Sequence, residues 1–411
     1  MQIMRDHPTL WIKGNTSASL KGKTIVLAVT GSIAAVRTVE LARELIRRGA
    51  DVYAVMSEAA SWILNPMALH YATGHEVMTR ITGAVEHVEF CGMSGKADLL
   101  LIAPATANTI GKIASGIDDT PVTTFATTAI GSNIPVMIVP AMHEAMYNHP
   151  AVAENIEMIK CWGVGFIGPD IKEGIAKIAS NEDIVLQVER QLGSKELAGR
   201  RLLITSGSTA EPIDPIRILT NRASGKTGVE LALEAYRRCA EVTIVHRNRI
   251  GCAGIKEIYA ESASQMTEAV LEELAYGCDI LISAAAIADY TLNSADTKIK
   301  SGGELTLHLK PVAKLINKAR DEYPDLLIAG FKAETGTSLD ELLERAMHTL
   351  ETSKLNMIVA NEVGSRGIGT DDNEVYILTP EDTGYIHIIG SKRVIASALL
   401  DELSHLLISR K

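Results

Sequence analysis

Short apolar runs alternating with segments of helical periodicity set the plan of this chain. Residues 24–29 read as a strand, Thr30-Gly31-Ser32 as a turn, and Ala35, Val39, Ala42 and Ile46 recur at helical spacing. Gly49 closes that helix and 51–56 supply a second strand, a unit whose ligands belong at the carboxyl ends of its strands. Residues 98–103 and 135–139 continue as buried parallel strands, each running into a polar loop of small residues. Around 190–199 the sequence turns polar, and 201–205 start the pattern again. A boundary there gives one domain over 1–190, with 1–23 as an N-terminal extension, and a second over 198–411. The second half predicts a helix over 226–239 and strands over 242–246, 279–284, 326–329, 357–360, 375–378 and 385–389.

Composition narrows the class to α/β. Of 411 residues, 46% are hydrophobic and only 4% aromatic, so the cores draw on aliphatic side chains, as in sheets covered on both faces. The formal charge of -10 argues against a general nucleic-acid binder, while loop amides and helix N-termini can still hold a phosphate locally. The five cysteines form no CxxC pair, which suggests neither a zinc site nor a disulfide framework. No run approaches the roughly 20 apolar residues that span a bilayer, and the opening residues show no signal-peptide stretch. A cytoplasmic protein with no membrane or nucleic-acid partner is expected.

Three loops carry the first candidate chemistry. Thr30-Gly31-Ser32 ends a strand and opens a helix, where amides and the Ser32 hydroxyl can meet a phosphate. Taken alone, an ordinary strand-to-helix turn reads the same. Ser57 follows the second strand and Pro104-Ala105-Thr106-Ala107-Asn108-Thr109 the third, so all three loops gather at one sheet edge. The strings GSIAAV, VMSEAA, APATANT and PAMHEAMY, in this order over roughly 23–188, resemble the FMN-dependent cysteine decarboxylases, specifically those acting on phosphopantothenoylcysteine. The resemblance implies a flavodoxin-like domain forming trimers, up to a dodecamer, with FMN between subunits. It places Gly31, Ser32, Ser57, Thr106 and Asn108 at FMN, Met142 and His143 at the substrate, and His87 as the catalytic base. Imidazole titrates near neutral pH and suits the proton removal that accompanies oxidation of a thiol to a thioaldehyde. Two departures stand out. His143 sits where many relatives have Asn, and the 168–177 loop lacks the cysteine many relatives carry there, as in the archaeal branch. Lys172 or Lys177 then supplies the last proton, or the flavin step differs. Cys161 reads as a buried small hydrophobe in a strand.

The second half opens with TSGSTAEPIDPIR at 205–217 and NRASGKTG at 221–228. Small hydroxyl and glycine residues after a strand, and Ser-Gly-Lys opening a helix, suit a phosphate-binding turn without a Walker A pattern. With AAAIADY, KIK, GFKAET and NMIVANEV downstream, these strings closely resemble phosphopantothenate-cysteine ligase over about 199–404. The resemblance implies a Rossmann-like, dimeric domain that activates the carboxylate of 4'-phosphopantothenate with CTP or ATP and Mg2+. Cysteine's amine then displaces the nucleotide from the acyl-nucleotidylate. Asn221 falls at the carboxylate or its acyl phosphate, and Ser224, Gly225, Lys226 and Phe331 at the nucleotide. Asp289 falls at the nucleotide or magnesium. Lys298 approaches the triphosphate, with Lys300 an alternative on the same face of a strand-like segment. Lys310-Pro311 departs from the Lys-Asn-Pro of many relatives, and no role is carried onto it. The expectation is a bifunctional enzyme; its rival is a flavin-binding regulatory subunit of the same fold, which predicts damage to the histidine or the ligase strings, and both are intact.

Overall fold

The computed structural model describes residues 7–172, 175–252, 254–364, 369–380 and 384–409, without the side chains of 170–176. The chain divides into two compact units, Met1–Gly193 and Ser194–Lys411.

In the first unit, β1 (Thr24–Val29), α1 (Thr38–Arg47), β2 (Asp51–Met56), β3 (Leu99–Ala105), β4 (Val136–Pro140) and β5 (Gly165–Phe166) build a parallel sheet of order β2-β1-β3-β4-β5. This is the flavodoxin-like order, with its switch point between β1 and β3. Every residue of β3 is buried. The reason is period two: Leu99, Leu101 and Ala103 enter one core, whereas Leu100 and Ile102 enter the other. A both-sided sheet therefore reads as an unbroken apolar run. The segment before β1 is packed onto this unit rather than trailing from it: Leu20 is fully buried, and the amides of Gly14, Thr16 and Leu20 donate to the carbonyls of Ile46, Arg47 and Arg48. Those carbonyls lie at the end of α1, where the i+4 donors of a continuing helix are missing. The turn after β1 begins as a 3-10 segment, Ile33–Arg37, before α1 starts. Cys161 corrects the expectation of a buried strand residue, because it ends the helix Pro150–Cys161 and is exposed.

In the second unit, β6 (Arg201–Ser206), α2 (Lys226–Arg237), β7 (Glu241–His246), β8 (Lys256–Tyr259), β9 (Ile280–Ser283), β10 (Leu327–Glu334), β11 (Met357–Glu362), β12 (Asp372–Leu378), β13 (Ile386–Ser391) and α3 (Lys392–Ser409) recur to the same plan. The sheet order is β8-β7-β6-β9-β10-β11-β12-β13, parallel through β11 and antiparallel for the last two. The chain reverses direction across the sheet between β6 and β9, and a crevice opens at their carboxyl ends. Helices α2 and α3 pack against each other on one face.

Candidate active sites

The loops at the carboxyl ends of β1, β2 and β3 are tied to one another by short hydrogen bonds. The Thr30 hydroxyl donates to the Pro104 carbonyl at 2.7 Å and accepts from the Thr106 amide at 3.1 Å, while the Ser57 amide donates to the Val29 carbonyl at 3.0 Å. Ser32, Ser57 and Thr106 each cap the helical segment that follows, accepting from Ala34, Ala60 and Thr109. The first turns of these three segments thereby face the same edge with their amides. A Cβ on Gly31 would lie 2.6 Å from the Cβ of Ala59, so only glycine lets the first loop approach the second. Asn108 is exposed beside Thr106.

Met142–His143 forms a short strand paired with Ile175–Lys177, which in turn pairs with Asp170–Lys172. The backbone thus joins the Met142-His143 string to the cysteine-free loop in one three-stranded sheet. Met142 is half-buried and His143 exposed. The side chain of Lys172 lies outside the described residues.

His87 stands on the helix Glu86–Cys91, which packs on the helix Pro121–Gly131 through Phe90 and its neighbours. Its Nδ1 is buried without a hydrogen-bond partner among the described residues. Such an atom costs stability unless something outside the chain satisfies it. Glu86 is drawn away: its carboxylate is held by the hydroxyl and amide of Thr82, which lower its pKa. Cys91, one turn on, cannot serve as a paired nucleophile, because burial pushes its thiol up to about 12.

In the second unit a cavity of about 560 Å3 opens at the crevice, and Asn221, Ser224, Gly225, Lys226, Asp289 and Phe331 all line it. Gly225 takes a left-handed φ of 77° at the start of α2, and the Ser206 hydroxyl donates to its carbonyl at 2.9 Å. A Cβ on Gly228 would meet that of Ser206 at 2.5 Å, so this glycine lets the helix start press onto the strand end. Asn221 donates from Nδ2 to the Ala286 carbonyl at 3.1 Å.

The TSGSTAE string does something its composition conceals. Thr205, Ser206, Ser208 and Thr209 are buried. Thr205 and Thr209 accept from the amides of Ala285 and Ala288 at 3.2 and 2.9 Å, and buried Glu211 accepts from the Ala263 amide and the Thr291 hydroxyl. Thr205 and Thr209 thereby hold the cavity wall at 284–289 instead of presenting their hydroxyls to a ligand. Asp214 extends the scheme. Its burial opposes ionisation, yet amides of Ile216, Ile299 and Arg217, with the Arg217 charge, hold its carboxyl at about 2.

Lys298 and Lys300 are placed differently from expectation. They flank Ile299, whose backbone is clamped by Asp214 and Arg217 at 3.1 Å each, in a loop and not a strand. Both are exposed and neither lines the cavity, so the shared-face argument for them fails. Among cavity residues the sequence reading passed over, Asn361 lies at the end of β11, within the NMIVANEV string, and Lys392 opens α3. Lys392 had no motif to mark it. Among the described residues no cluster of three or more His, Cys, Asp or Glu could hold a metal ion, and no helix is long and apolar enough to cross a membrane.

Comparison with known proteins places both units. The family model for Flavoprotein matches residues 13–193, and that for the DNA/pantothenate metabolism flavoprotein C-terminal domain matches 197–407. The chain is 48% identical to the coenzyme A biosynthesis bifunctional protein CoaBC of Thermococcus kodakarensis, over 98% of this chain and 100% of that one. It is 41% identical to the protein of the same name from Methanocaldococcus jannaschii, over 97% and 98%. A solved C-terminal domain of a protein of that name is 28% identical and covers 53% of this chain and all of its own, with a TM-score of 0.45.

Proposed function

Because the chain belongs to the family of coenzyme A biosynthesis bifunctional proteins, we propose that its second unit joins cysteine to 4'-phosphopantothenate and its first unit decarboxylates the product to 4'-phosphopantetheine. The observation that carries the ligase half is the single cavity lined by Asn221, the Ser224-Gly225-Lys226 turn, Asp289 and Phe331. A nucleoside triphosphate, CTP or ATP, lies there with its phosphates against the start of α2, where amides and Lys226 neutralise charge. Asn221 offers an amide to the acyl group without adding a competing nucleophile. Asp289 is one carboxylate, which suits Mg2+ held jointly by protein, water and substrate phosphates. Lys298, exposed on the clamped loop, reaches the triphosphate only by closure of that loop or from a second subunit, consistent with a dimeric ligase domain.

In the first unit FMN fits the three capped loops and the close approach at Gly31. Ser32, Ser57, Thr106 and Asn108 would hold it, and when bound it would supply the redox capacity that takes two electrons from the substrate thiol and returns them to the enethiol. His87 takes the proton lost as the cysteine thiol is oxidised. The β-thioaldehyde so formed accepts the electron pair released with carbon dioxide, giving an enethiol. Met142 and His143 orient the substrate carboxylate, and Lys172 or Lys177, on the paired hairpin, delivers the final proton. Exposed Ile33, Val36, Val85 and Val88 suit burial between subunits, consistent with homo-oligomers built on trimers.

The deciding experiment incubates the purified chain with 4'-phosphopantothenate, cysteine, Mg2+ and each nucleotide, with products identified by mass spectrometry. Phosphopantetheine establishes both steps. Phosphopantothenoylcysteine alone keeps the ligase and sinks the decarboxylase, and no product with any nucleotide removes the ligase, the decarboxylase then being tested on added phosphopantothenoylcysteine.

A further inference from the structure

Lys392 is placed where elementary electrostatics disfavours it. It is only 4% exposed, it is the first residue of the 18-residue helix α3, and it lies in the wall of the ligase cavity. Burial opposes its charge, the positive end of the helix opposes it again, and Lys226 adds repulsion. Lys226 is itself the first residue of α2, the helix against which α3 packs. Two helix N-termini and two ammonium groups therefore converge on one wall. Nearby opposing charge comes from Asp371 and Asp372.

Among the described residues, one stretch of chain just before β12 meets both ammonium groups. Lys226 Nζ donates to Asp371 Oδ1 at 2.6 Å and to the Gly369 carbonyl at 3.2 Å, while Lys392 Nζ donates to the Thr370 carbonyl. Three consecutive residues thus present a carboxylate and two carbonyls where the cations meet. The Lys392 amide also donates to the Asp371 carbonyl at 3.0 Å, which fixes that stretch to the start of α3. Asp371 itself is largely exposed, with its side chain 88% accessible.

From this placement we infer that Lys392 is a second phosphate-binding cation of the ligase site, acting with Lys226 on the polyphosphate of the nucleotide, and that Asp371 is a stand-in anion the polyphosphate displaces. The inference rests on the ligase reading of this cavity. It explains a buried lysine at a helix start, since a polyanion satisfies all four sources of positive potential together.

The test uses the full chain and inorganic tripolyphosphate, titrated calorimetrically without divalent metal. Lys392→Met should weaken binding at least tenfold, and Asp371→Asn should tighten it severalfold, because it removes the competing carboxylate. In turnover, Lys392→Met should raise KM for the nucleotide while KM for cysteine holds. Asp371 is exposed, so its variant folds whether or not the lysine variant does. Tripolyphosphate affinity unchanged in Lys392→Met, or weakened in Asp371→Asn, overturns the inference while ligation by the wild type keeps the broader reading. A wild type that neither ligates nor binds tripolyphosphate sinks that reading first.

Discussion

His87 and Asn221 show how much one side chain can be asked to reveal. The buried Nδ1 of His87, without a partner among the described residues, is a group awaiting one, and general base catalysis typically contributes about 10²- to 10⁴-fold. His87→Gln should therefore cut decarboxylation by at least about 10²-fold and leave ligation intact, so that phosphopantothenoylcysteine accumulates in the mass spectrum; equal loss of both steps in a folded variant would refute the assignment. Asn221→Asp places a carboxylate beside the acyl group. It should let some acyl-nucleotidylate form but slow its capture by cysteine, whereas Lys298→Gln should stop pyrophosphate release. A rapid quench with labelled nucleotide, followed by a cysteine chase, separates the two; arrest at the same stage contradicts these roles. His87 was recognisable only through its neighbouring strings, because a lone histidine is more often structural.

At the scale of elements, the loops matter through what holds them. Thr209 is fully buried and accepts from the Ala288 amide. Thr209→Val keeps the shape and removes the acceptor, so about 1 kcal/mol of stability should go with it, together with a raised KM for the nucleotide; a melting curve and a KM unchanged from wild type would show that the wall does not depend on this bond. Asp214 gives a pH test. Its folded pKa of about 2 lies below the ordinary value near 3.8, so its contribution is complete above about pH 4 and is lost as pH falls towards 2. Asp214→Asn should accordingly flatten the acid limb of stability in that window and loosen the Lys298 loop, seen as faster amide exchange at Ile299. Acid unfolding identical to wild type would remove Asp214 from this role. The sequence displayed TSGSTAEPID as a phosphate-type loop; its use as an internal scaffold was hidden, because a hydroxyl that faces a ligand and one that faces an amide are the same letter.

At the scale of the whole molecule, each unit has its own sheet and its own buried clusters, so the two activities should separate. Stripping the flavin should abolish decarboxylation and spare ligation, and adding FMN back should restore it; ligation lost along with flavin would show that the units do not work independently. Light scattering should give a mass that is a multiple of three chains, and a stable monomer would contradict assembly through the exposed apolar residues of the first unit. The sequence by itself determined the two α/β units, the strands buried on both faces and the order of the motif strings, because periodicity and turn residues act locally and persist in any context. Tertiary structure alone decided which residues share a cavity. It drew Lys392 from the end of the chain to the wall beside Lys226, left Lys298 and Lys300 outside that wall, and turned Thr205 and Thr209 inward. Such placements depend on how helices pack and which distant amides need partners, and neither is written in the spacing of residues along the chain.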